Sequence, residues 1–91
     1  MKQFNWNEDK NRQLQQERGI TFDDIIKSMQ QGKLLDIIQH YNADKYPNQK
    51  IFIVQLDSYV YVVPFVETDL EIFLKTIIPS RKMTKKYLGD N

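Results

Sequence analysis

Three apolar runs, "KIFIVQL", "YVYVVPFV" and "LEIFLKTII", follow one another between residues 50 and 78, separated only by "DS" and "ETD". All three are rich in β-branched and aromatic residues, the composition of strands. Interruptions this short favour an antiparallel meander. The rest of the 91-residue chain has to be arranged around that sheet. Pro64 lies inside the second run, where it removes a ladder hydrogen bond, and predicts an edge, a bulge or a strand end there.

The residues before the meander carry clear punctuation. Phe4, Asn5 and Trp6 suit a short strand. Asn7 then caps a helix with Glu8 and Asp9 in its first turn, which runs to Arg18 and stops at Gly19. Apart from Leu14 that helix is polar, so it belongs on the surface. A second helix starts at Thr21, with Asp24 completing a shortened capping box, Ile20 placed to staple against Ile25, and Gly32 beyond its end. Phe22, Ile25, Ile26 and Met29 form its buried face. "KLLDIIQHY" reads as a buried strand and "NADKYPNQ" as a polar loop. After the meander, Ser80 caps a short helix to Leu88, closed by Gly89.

The element order is β-α-α-β-β-β-β-α. It predicts one α+β domain over residues 1–91: an antiparallel, or mixed, sheet of four to five strands with helices packed on one face, two N-terminal and one short and C-terminal. The chain has no cysteine, which excludes disulfides and thiolate chemistry and suits a reducing cytosol. With neither a signal-like apolar segment nor a membrane-length apolar run, the expectation is a soluble, cytoplasmic protein. Thirteen basic residues face twelve acidic ones, so any nucleic-acid binding must come from uneven placement of charge.

That unevenness is concentrated in "SRKMTKKY". Arg81, Lys82, Lys85 and Lys86 fall within six positions, and no acidic residue occurs between Glu71 and Asp90. On a helix, Arg81 and Lys85 share one row, Lys82 and Lys86 a second, and Met83 and Tyr87 the remaining face. Stacked like charges, and cations in a first helical turn, are both unfavourable in an isolated helix. The pattern fits a phosphate-contacting surface, where cations neutralise a polyanion. It fits equally a terminal helix whose charges face water.

Three stretches resemble the BrnT-type toxin family, whose fold is that of the RelE-like ribonucleases of bacterial type II toxin–antitoxin systems: residues 4–24 ("FNWNEDKNRQLQQERGITFDD"), 33–57 and 77–87 ("IIPSRKMTKKY"). The first is similar to the family's aromatic-Trp-Asp-x-x-Lys start and its Gly-Ile and Phe-acidic-acidic continuation. The last resembles its closing Ser/Ala-Arg-Lys-Ala-Thr helix. The chain departs from the pattern at Asn7, at Arg18 in place of His, and at Thr76 where many relatives carry a basic residue.

The resemblance implies a metal-independent endoribonuclease acting on mRNA, with no cofactor, neutralised by a cognate antitoxin that often doubles as a DNA-binding repressor. Attack of a ribose 2′-hydroxyl on the adjacent phosphate needs a base, cations to hold the phosphorane and an acid for the leaving oxygen. Arg81 is the first candidate for phosphate stabilisation, because its planar guanidinium makes bidentate contacts. Lys82 and Lys85 are placed to hold neighbouring phosphates, with Lys86, Lys50, Lys45 and Arg18 as further RNA-contacting cations. His40, the only histidine and the residue type that titrates near neutrality, is a candidate acid or base at the end of its strand. Tyr87 competes for that role, although its place beside Met83 suits packing equally well. Asp36, Glu67, Asp69 and Glu71 form no recognisable metal or paired-carboxylate spacing. Two other readings stay open: an inactive RelE-fold binding or corepressor protein, and a nucleic-acid-binding module that does not cleave.

Overall fold

The structure, a computed structural model, describes residues 2–89. The first strand, β1 (Gln3–Trp6), ends at Asn7, whose side chain accepts the Lys10 N–H at 3.0 Å and starts α1 (Glu8–Arg18). Gly19 then takes a left-handed conformation (φ 67°) and turns the chain back. Two residues later the Thr21–Asp24 capping box opens α2 (Phe22–Ser28). This helix is shorter than the sequence suggests. It passes into a π-helical turn, Met29–Lys33, in which Gly32 (φ 83°) swings the backbone out of helix and into β2 (Leu34–Gln39).

The meander forms as β3 (Gln49–Leu56) and β4 (Tyr59–Glu67), joined through a two-residue turn in which Asp57 takes a positive φ of 56°. This is the backbone that tight hairpins require and that Asp tolerates. The third run splits in two. Only β5 (Glu71–Leu74) pairs with one end of β4, and β6 (Ile78–Pro79) pairs with its other part, ahead of α3 (Arg81–Leu88). Pro64 sits at that break. Its carbonyl accepts the Lys75 N–H at 2.8 Å, so the missing N–H faces the gap between β5 and β6 and the ladder to β3 is intact.

The fold is α+β, and three expectations need correction. Among the described residues the sheet has six strands, in the order β1-β5-β4-β3-β2 with β6 beside β4. It is mixed, because β1 runs parallel to β5, pairing Trp6 with Leu74. The helices do not share a face. The main core lies on the α1/α2 side, where Leu14, Ile20, Phe22 and Ile25 meet Phe52, Val54, Val63, Phe65, Leu74 and Ile77. Strand alternation puts Ile53 and Val60 on the opposite side, where α3 packs on β4. Finally, β2 is not buried. It is an edge strand with no buried residue, in which Asp36, Ile37 (48 %) and Gln39 are exposed, because among the described residues no strand lies beyond it.

Candidate nucleic-acid interface

Two backbone-directed contacts fix where α3 lies. The Ser80 N–H donates to the Val60 carbonyl (3.0 Å), and the Val60 N–H donates to Thr84 Oγ1 (2.9 Å), while the Thr84 hydroxyl donates to the Ser80 carbonyl (2.7 Å). Ser80 also caps the helix by accepting the Met83 N–H. With that face held, Arg81, Lys82, Lys85 and Lys86 all point to solvent. Among the described residues no carboxylate lies within ion-pair reach of any of the four. Lys86 lies 5.5 Å from the centre of the Tyr87 ring.

Between α3 and the edge of the sheet runs a groove of about 530 Å³. Register puts Ile38 opposite Ile51 and Ile51 opposite Pro64, so these residues, with Val62, form an apolar floor. Ile78 and Met83 wall one side, and Lys82, His40 and Tyr41 stand at the rim.

His40 is held by its neighbours. Its Nδ1 accepts the Asn42 N–H at 3.1 Å, which leaves Nε2 as the nitrogen that carries the proton in the neutral ring. Tyr41 stacks on it with centroids 4.4 Å apart and planes at 24°, and Tyr46 lies against it at 4.7 Å. Lys45 lies over the Tyr46 ring at 5.5 Å. Loop hydrogen bonds from Tyr46 N–H to the Asn42 carbonyl and from Gln49 N–H to the Tyr46 carbonyl hold this cluster in shape.

Tyr87 occupies a different place. Its hydroxyl donates to Asp36 Oδ2 at 3.1 Å, tying the end of α3 to β2. Partial burial, and then the hydrogen bond and charge of Asp36, push the phenol above its ordinary pKa. The hydroxyl is therefore a weak proton donor already committed to a carboxylate.

The sequence candidates thus divide. Arg81, Lys82, Lys85, Lys86 and Tyr87 share α3, and His40 joins Lys82 at the groove. Lys45 stands in the loop beside His40. Lys50 does not join them: it alternates with Phe52 and Val54 onto the α1/α2 face and pairs with Glu67 at 3.7 Å. Arg18, at the end of α1, belongs to that opposite side as well. Tyr41, Tyr46 and Asp36 are the site neighbours that sequence reasoning missed. The doublet "HY" and the nearby "KYP" signal an aromatic loop, but not that its rings converge on His40. Among the described residues no three His, Cys, Asp or Glu side chains converge as a metal site, and no helix is long and apolar enough to cross a membrane.

No protein-family profile, curated protein or solved structure matches the chain.

Proposed function

We propose that this protein is a metal-independent endoribonuclease of the BrnT-type, RelE-like toxin class, acting on mRNA and held in check by a cognate antitoxin. The observation that carries the reading is α3: four solvent-facing cations that have no carboxylate partner among the described residues, one of which shares a groove with the only histidine. The resemblance in residues 4–24, 33–57 and 77–87 supports it independently of the geometry.

In this reading RNA lies along α3. Arg81, with Lys82 and Lys85, neutralises the phosphate under attack and its neighbours. His40, whose Nδ1 is occupied by the Asn42 N–H, offers Nε2–H as a hydrogen-bond donor to a phosphate oxygen, and the 2′-hydroxyl proton passes through water to the departing 5′-oxygen. The ribose oxygen bonds to phosphorus as the P–O5′ bond breaks, giving a 2′,3′-cyclic phosphate and a 5′-hydroxyl. Tyr87, bonded to Asp36, positions α3 rather than transferring the proton. The antitoxin covers the cations with an acidic segment, and its binding adds stability to the folded chain by mass action.

Inducible expression beside Arg81→Ala tests this reading, with cleavage of purified RNA followed in the presence of chelator. Arg81 is exposed at the start of α3, so its truncation leaves the fold intact. The expected result is growth arrest and fragmented mRNA for the intact chain alone. An intact chain that leaves RNA whole overturns the ribonuclease reading, and equal cleavage by Arg81→Ala removes Arg81 from the site.

A further inference from the structure

Tyr41 is the most exposed large hydrophobic residue among those described, at 92 %, yet its ring lies against another ring. One face stacks on His40, which also meets Tyr46 at a tilt of 53°. The other face is open beside the groove that Tyr41 helps to line. A cluster of aromatic rings with a free outer face is what an unpaired nucleobase stacks on.

The surroundings match the rest of a nucleotide. The apolar floor of Ile38, Ile51, Val62 and Pro64 suits a ring face or the carbons of a ribose, and the volume of about 530 Å³ falls within the range of small-ligand sites. Lys82 stands at the rim, and no carboxylate among the described residues lines the groove. Lys45 flanks the loop side, although Asp44 precedes it in the same loop. Charge and stacking surface therefore favour a polyanion with aromatic bases over an acidic peptide, which has no use for the open Tyr41 face.

We propose that the rings of Tyr41, His40 and Tyr46 form a stacking platform that seats one unpaired base of single-stranded RNA, with the flanking phosphates on Lys82 and the outer face of α3. The inference rests on reading α3 as an RNA-contacting surface and adds how the chain engages a base, independently of bond cleavage. Tyr41 is a base-binding residue here, not a catalytic one.

The test is equilibrium binding of a short, fully 2′-O-methylated RNA, which lacks the hydroxyl needed for cleavage, against the same strand with abasic sugars. Stacking on one aromatic ring makes the base-bearing strand bind at least about fivefold more tightly. Tyr41→Ala is expected to abolish that preference while leaving the salt dependence, which reports phosphate contacts, unchanged. Tyr41→Phe, which keeps the ring, is expected to retain it. Equal binding of the two strands by the intact chain overturns the inference, as does a preference that survives Tyr41→Ala. Failure of both strands to bind also overturns it and leaves the groove to a protein partner. Because nothing is cut, the two readings separate: base preference without nuclease activity supports the platform and sinks the ribonuclease, while cleavage without base preference does the reverse.

Discussion

Asn11 illustrates how single side chains hold this small protein together. It sits half-buried on α1 and accepts the Phe22 N–H at 2.9 Å, one of the amides left over at the start of α2. Thr21 and Asp24 satisfy two more amides between themselves, at 3.2 and 3.0 Å. Phe22 is fully buried and stacks on Trp6 at 5.7 Å, so its amide has no alternative access to water. Asn11→Ala leaves that N–H unpaired and is expected to lower stability by about 1–3 kcal/mol. Urea unfolding followed by Trp6 fluorescence measures it, with the exposed Gln13→Ala on the same helix as the control. A loss no larger than the control's means that water or another group reaches the amide.

At the scale of elements, α3 shows why a short helix with an unfavourable charge pattern stays in place. Its seat is the exchange between Val60 and residues 80 and 84 more than any apolar stripe: Met83, Thr84, Tyr87 and Leu88 are only partly buried. Thr84→Val keeps the shape but removes the acceptor for the Val60 N–H. Faster hydrogen exchange at the Val60 amide and a loss of about 1–3 kcal/mol are expected, with Thr84→Ser restoring both. Unchanged exchange would mean that the helix is seated by packing alone.

The same element marks the limit of what the sequence discloses. The ends at Asn7, Gly19, Thr21 and Ser80 were legible because a cap is a contact between residues three or four positions apart. Which side of the sheet α3 covers was not, since that depends on Ser80 meeting Val60 across the fold. β2 read as buried from "LLDII", but burial depends on which strands lie beside it, and among the described residues no strand lies beyond β2. In the site, the four cations were legible from spacing. The separation of Lys50 from them was available from its alternation with Phe52 and Val54, whereas the convergence of Tyr41 and Tyr46 on His40 is a property of loop conformation.

For the molecule as a whole, the demanding contact is between its beginning and its later strands. β1 pairs in parallel with β5, matching Gln3 with Glu71, so the sheet closes only when residues nearly seventy positions apart meet. Side chains reinforce that closure. Lys2 donates to Glu67 Oε2 at 2.6 Å, Lys50 approaches Glu67 Oε1 at 3.7 Å, and Asn5 Nδ2 donates to Glu71 at 2.6 Å. Glu67 thus joins the residues around β1, β3 and β4 at one end of the sheet. The Lys2 hydrogen bond and charge, followed by those of Lys50, hold its carboxyl below the ordinary glutamate pKa. A carboxyl that ionises more readily in the folded chain than in the unfolded one stabilises fully above the unfolded value. That contribution fades as pH falls through the unfolded value and is lost below the folded one. Glu67→Gln is therefore expected to be less stable than the intact chain by a constant margin between about pH 6 and 8, with the margin shrinking towards zero below about pH 4. Unfolding free energies of both chains across that range decide it. A margin that does not change with pH would assign the role of Glu67 to shape and hydrogen bonding, and leave the closure of β1 onto β5 to the backbone ladder and the packing of Trp6 and Leu74.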